Sequence, residues 1–155
     1  MKARHLVRSP LLVLVATVGC SGPPPAVTDV AGVYHLAPDS VVLLQHKKGF
    51  ASSPGSEIRL SPDGTAVISA LPDAYVDGHG RGSGKVVSGS GHWSIEKVRS
   101  GYGVTFDIKS GGTMPRSVYD GSSVTIEGRG GHYRLEMILG DPDTHETLEF
   151  VRSES

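Results

Sequence analysis

The sequence predicts an all-β fold, an antiparallel up-and-down barrel of about eight strands with at most one short helix. Three observations lead there. From about residue 30 onward, short segments alternate apolar and polar residues, the period of a half-buried strand. Turn signals such as Pro62-Asp63-Gly64 and Asp141-Pro142-Asp143 separate them. The chain of 155 residues contains Gly 21 and Pro 10, which favours many turns over long helices. Closing the sheet would remove its exposed edges.

Residues 31–36 read as the first strand, with Val33 and Tyr34 its main bulk. Pro38-Asp39-Ser40 looks like a helix start capped by Asp39 or Ser40, and Gly49 stands where a helix would end. Residues 41–44 suit a strand equally well; the reading adopted is a short helix over residues 39–48. Glu57-Ile58-Arg59-Leu60 and residues 65–71 form the clearest hairpin, joined by Pro62-Asp63-Gly64. Residues 72–91 read as irregular, because alternating glycines supply no side chain to pack. A strand over residues 91–97 follows, with Trp93 and Ile95 on one face and His92 and Ser94 on the other. Tyr102, Val104, Phe106 and Ile108 define the next inward face. Val124 and Ile126, then Tyr133, Leu135 and Met137, and finally Leu148 and Phe150 define the last three.

The amino end reads as a sorting signal. Lys2, Arg4 and Arg8 precede a short apolar run, Leu-Leu-Val-Leu-Val-Ala-Thr-Val over residues 11–18. A membrane-spanning helix needs about 20 apolar residues, so this run suits a signal peptide better than an anchor. It ends in Thr17-Val18-Gly19-Cys20, at the one cysteine of the chain. The ending resembles the lipobox of bacterial lipoproteins, although Thr17 stands where an aliphatic residue is usual. That resemblance implies removal of residues 1–19 and acylation of Cys20, with palmitate-class chains holding the protein at the membrane. The competing reading makes Cys20 an ordinary apolar residue near a conventional cleavage site. The expected organisation is a lipoprotein signal peptide over residues 1–19, a Pro-rich linker over 20–29 and a β-barrel domain over 30–155. Ser21-Gly22-Pro23-Pro24-Pro25 within the linker reads as a stiff spacer.

Composition narrows the functions. With 15 Lys plus Arg against 16 Asp plus Glu, the chain is no strongly basic nucleic-acid binder. Loss of residues 1–19 would leave 12 basic against 16 acidic residues, a net charge of −4. Attraction to anionic headgroups is then not the means of membrane attachment. A single cysteine permits neither an internal disulfide nor a thiolate zinc cage.

Ordered pieces of the domain look like a family of uncharacterised bacterial secreted and lipoprotein domains with a lipocalin-like barrel. They are Ala31-Gly32-Val33-Tyr34, Pro38-Asp39-Ser40-Val41, Arg59-Leu60-Ser61-Pro62-Asp63-Gly64-Thr65 and Leu71-Pro72-Asp73. Further along come Ser88-Gly89-Ser90-Gly91-His92-Trp93, Tyr133-Arg134-Leu135 and Gly140-Asp141-Pro142-Asp143. Ala66 departs from an aromatic usual after Asp-Gly-Thr, and Tyr75 stands where a tryptophan pair is frequent. The resemblance implies the fold and a cell-envelope location; it supplies no activity.

Motifs that would carry chemistry are incomplete. Gly82-Ser83-Gly84-Lys85 lacks the first glycine of a phosphate loop, with His79 in its place, and Val86 stands where Ser or Thr is needed. Asp141-Pro142-Asp143-Thr144-His145-Glu146 has His and Glu where a calcium loop requires Asp or Asn and then Gly. Ser90 is not set in a Gly-x-Ser-x-Gly elbow. The histidines show no paired metalloprotease spacing. The expectation is therefore a non-enzyme without cofactor or metal: a lipid-anchored envelope protein whose barrel binds an apolar small molecule or an envelope protein. A hydrolase without a recognisable motif and a purely structural protein are the alternatives. Any ligand would enter an open barrel end beside the glycine-rich loop, where Tyr75, Asp77, His79 and Arg81 offer mixed polar contacts. A surface loop without a role is the competing explanation for those four residues.

Overall fold

A computed structural model describes residues 22–73, 82–99, 101–110, 124–139, 143 and 146–154. Eight antiparallel strands close into a barrel in sequence order. They are β1 (Gly32–Leu36), β2 (Glu57–Leu60), β3 (Thr65–Pro72), β4 (Val86–Val98), β5 (Gly101–Ser110), β6 (Val124–Arg129), β7 (His132–Ile138) and β8 (Thr147–Arg152). Closure is made by β1 and β8, with Leu36 opposite Phe150 and Tyr34 opposite Arg152. The predicted fold class is the observed one, and the alternation read from sequence gives the facing. Trp93, Ile58, Leu60, Phe106, Leu135 and Phe150 are all buried. His92 and His132 lie exposed on the outer face.

Among the described residues two short helices are present where the sequence predicts at most one: α1 (Val27–Val30) and α2 (Pro38–His46). The first is four residues long and carries no side-chain cap, so its sequence gives little signal. It falls at the end of the segment read as linker, and Val30 is fully buried. The second was anticipated, but its start differs. Ala37 is the N-cap and Pro38 opens the helix, a position where the missing N–H costs nothing. The Ser40 hydroxyl is used elsewhere, accepting from the Glu149 N–H at 2.8 Å and tying α2 to β8. Leu44 enters the core, and Lys47 at the helix end pairs with Glu146. Gly49 follows with φ at +80°.

The central segment requires a second correction. Residues 72–91 are not irregular throughout, because β4 begins at Val86 and pairs with β3, placing Val87 opposite Leu71 and Gly89 opposite Ile68. Gly91 is demanded by close packing. A Cβ there would overlap the Asp107 carbonyl oxygen of β5, beside a break in register between Ser90 and Gly91. A glycine that admits a neighbouring backbone supports a strand instead of weakening it.

A bulge in β3 completes the curvature. Ser69 and Ala70 lie between the Ile68–Gly89 and Leu71–Val87 pairs, two residues against one. Ala70 sits at φ +49°, a left-handed conformation unfavourable for alanine. Its N–H donates to Ser88 Oγ at 2.8 Å, and its carbonyl accepts from the buried Ser56 hydroxyl at 2.7 Å. Those two bonds hold the strained residue in place.

Candidate functional site

The barrel has two distinguishable ends. One carries α2, Asp73 and residues 82–85. The other carries residues 22–31, which form a strap along the rim, together with the β4–β5 turn, the β6–β7 turn and the end of β8.

Tyr75, Asp77, His79 and Arg81 lie outside the described residues. The residues that flank them in the chain belong to the first end. Asp73 is buried and accepts a hydrogen bond from Ser83 Oγ at 2.6 Å. Its N–H donates to the Lys85 carbonyl at 3.0 Å. Gly82 and Gly84 donate to the carbonyls of Lys48 and Gly49, so the segment leading into β4 is fastened to the turn after α2. Leu44, reaching the core from α2, covers part of the end that sequence reasoning treats as open.

At the second end the chain lies back on its own barrel. The Tyr34 hydroxyl donates to the Val30 carbonyl across four residues, fixing the last turn of α1. Burial holds the Tyr34 hydroxyl above its ordinary pKa of 10.0; the nearby Arg152 charge opposes that shift and Tyr133 adds to it. Arg152, the inward residue at the end of β8, donates through Nη1 to the Asp29 carbonyl at 2.9 Å. Nη2 donates to the Ala31 carbonyl. A longer contact of 3.4 Å reaches the Gly131 carbonyl. The guanidinium thus bridges α1 to the β6–β7 turn. Its Nε passes where a side chain on Gly32 would stand. Cys20 lies outside the described residues, and two positions later the Gly22 carbonyl accepts from the Tyr102 hydroxyl at 3.2 Å.

Two clefts flank this second end and share Gly128 and Tyr133. One, of about 510 Å³, lies between Pro23 and Pro25 of the strap and Tyr102, Ile126 and Tyr133 of the barrel. The other, of about 480 Å³, is bordered by Glu127, Arg134, Glu149 and Arg152. Arg134 there contacts Glu136 at 3.1 Å and Glu149 at 3.3 Å. Of the inward-facing aromatics, Tyr34, Trp93, Phe106 and Phe150 are core, whereas Tyr102 and Tyr133 are only partly buried and line the cleft beside Pro23 and Pro25. Among the described residues, no three His, Cys, Asp or Glu side chains are grouped to hold a metal ion.

Sequence reasoning missed Arg152 and the docked strap. Arg152 had a signal: it shares the inward parity of Leu148 and Phe150, and a charged residue at an inward position needs partners. The strap had none, since consecutive prolines carry no periodicity.

No protein-family model, curated protein or solved structure matches this chain.

The Tyr34 hydroxyl supplies a pH prediction. Its folded pKa lies above its unfolded value, so its contribution to stability is complete below about pH 10 and is lost as pH rises through the folded value. Tyr34→Phe should destabilise by roughly 1–3 kcal/mol at neutral pH, because the Val30 carbonyl loses its donor. Denaturant titrations from pH 8 to about 11 should show stability falling more steeply in the natural protein than in the variant. Parallel curves would remove Tyr34 from this role.

Proposed function

We propose that the chain is a lipid-anchored protein of the bacterial cell envelope, with a small barrel that serves as an interaction module and no catalytic role. One observation carries the proposal: a basic start and a short apolar run that end at the one cysteine, Cys20. Acyl chains on that residue would anchor by burying CH2 groups, at about 0.8 kcal/mol each. No helix among the described residues is long and apolar enough to cross a membrane. The resemblance to lipocalin-like secreted and lipoprotein domains agrees with a closed eight-strand barrel.

The packing favours recognition on the outside of the barrel. Tyr34, Trp93, Phe106 and Phe150 are buried in its core, while the cleft of about 480 Å³ is bordered by Glu127, Arg134 and Glu149 on the outer wall. The partner proposed is therefore another envelope component, in preference to an apolar molecule held inside. Cys20→Ser tests the anchor. In bacterial cells the natural chain should sediment with membranes, and the variant should appear in the soluble fraction. An unchanged partition would refute lipid anchoring through Cys20.

A further inference from the structure

We propose that the barrel end bearing the docked strap lies against the phospholipid headgroup layer, with the α2 end pointing away from the membrane. The inference rests on the lipid-anchor reading and adds to it an orientation and a contact surface.

The argument is one of tether length. Cys20 and Gly22 are two residues apart, a span of at most about 7 Å. Gly22 does not begin a free spacer, because its carbonyl is bound by the Tyr102 hydroxyl. Pro25 is half-buried and borders the same cleft as Tyr102 and Tyr133. Val30 is buried at the end of α1, and Arg152 grips the carbonyls on either side of it. The strap is consumed along the barrel rim, leaving no length of proline spacer to hold the domain off the surface. With acyl chains in the bilayer, Cys20 sits at the headgroup boundary. Tyr102 then lies within about 10 Å of that boundary, from the two-residue span and one hydrogen bond.

The rim suits that position. Tyr102 and Tyr133 are partly buried aromatics with polar tips, the side-chain type enriched at membrane interfaces. Arg99 on the β4–β5 turn and Arg129 at the end of β6 are exposed and can donate to phosphate oxygens. Asp29, Asp63 and Glu154 lie near the same end, so the face is mixed in charge. The acyl anchor supplies attachment, and the face sets orientation. The α2 end, with Val42 exposed, is left facing solvent.

Site-specific quenching tests this on the full lipidated chain. An acylated Cys20 is closed to thiol reagents, so each added cysteine takes a fluorophore uniquely. Thr28→Cys and Lys97→Cys, both exposed, report on the strap end; Asp39→Cys and Lys48→Cys report on the α2 end. The strands separate the two ends by roughly 15–20 Å, five or six residues at about 3.3 Å each. In phosphatidylcholine vesicles containing a headgroup spin-labelled lipid, the first pair should lose most of its fluorescence and the second pair little. Equal quenching of both pairs, or stronger quenching at Asp39 and Lys48, would overturn the orientation. Vesicle flotation and the mass at Cys20, measured on the same samples, separate the two claims. Acylated, floating protein with equal quenching refutes the orientation alone. Protein neither acylated nor floating refutes the anchor and the orientation together.

Discussion

Trp93→Ala should destabilise the barrel by roughly 3–5 kcal/mol, the usual loss for emptying a buried tryptophan site. Trp93 is 6% exposed and stands opposite Phe106 in the β4–β5 pair. Its Nε1 donates to the Ser61 carbonyl at 2.9 Å, which also accepts from the Gly64 N–H at 3.0 Å. Loss of the indole therefore does not strand that carbonyl, and most of the effect is lost packing. Against a total stability of about 5–15 kcal/mol, the change is severe. Circular dichroism should follow the denaturation, because the variant lacks the one tryptophan that fluorescence would report. Trp93→Phe, which keeps a ring and loses the hydrogen bond, should cost less. A loss below about 1 kcal/mol for alanine would contradict the core position.

Arg152→Met should have the second largest effect, and a local one. Methionine keeps an apolar stem but donates nothing to the carbonyls of Asp29 and Ala31. Hydrogen bonds from a charged donor are worth about 1.5–3 kcal/mol each. Arg152 is only half-buried, so water can replace part of what is lost. A total near 2–3 kcal/mol is expected on that basis. Amide exchange should rise in residues 27–31 while the amides of β5 and β7 keep their protection. Uniformly faster exchange would mean that Arg152 supports the whole barrel instead of the strap.

Much of the barrel was legible because parity survives in its strands. In β7, Tyr133, Leu135 and Met137 face in while His132 and Arg134 face out, as alternation requires. The Pro62-Asp63-Gly64 turn was equally readable. Asp63 Oδ1 accepts from the Thr65 N–H and hydroxyl, and those bonds hold the exposed carboxyl below its ordinary range. Parity failed where long-range packing decides the outcome. Residues 86–90 read as part of an irregular segment, yet they pair with β3, and at Gly91 the Asp107 backbone comes too close for any side chain. Ala70 breaks the alternation of β3 through a left-handed bulge, and nothing in its sequence neighbourhood demands that conformation. The four-residue α1 is held by Tyr34 and Arg152 from other parts of the chain.

The candidate site was less legible. Tyr102 and Tyr133 were read as inward, and they are; their place beside the strap depends on the fold of residues 22–25. Local polarity alone singles out Tyr75, Asp77, His79 and Arg81 in the sequence. The described structure instead draws attention to the rim nearest Cys20, through contacts spanning 80 residues between Tyr102 and Gly22 and 123 between Arg152 and Asp29. Separations of that size leave no periodic trace in a sequence.

The most direct test is the intact mass of the mature protein extracted from bacterial membranes, with fragmentation of its amino-terminal peptide. The account predicts a chain that begins at Cys20 and carries acyl mass on that residue. An unmodified soluble chain beginning at another residue would contradict it.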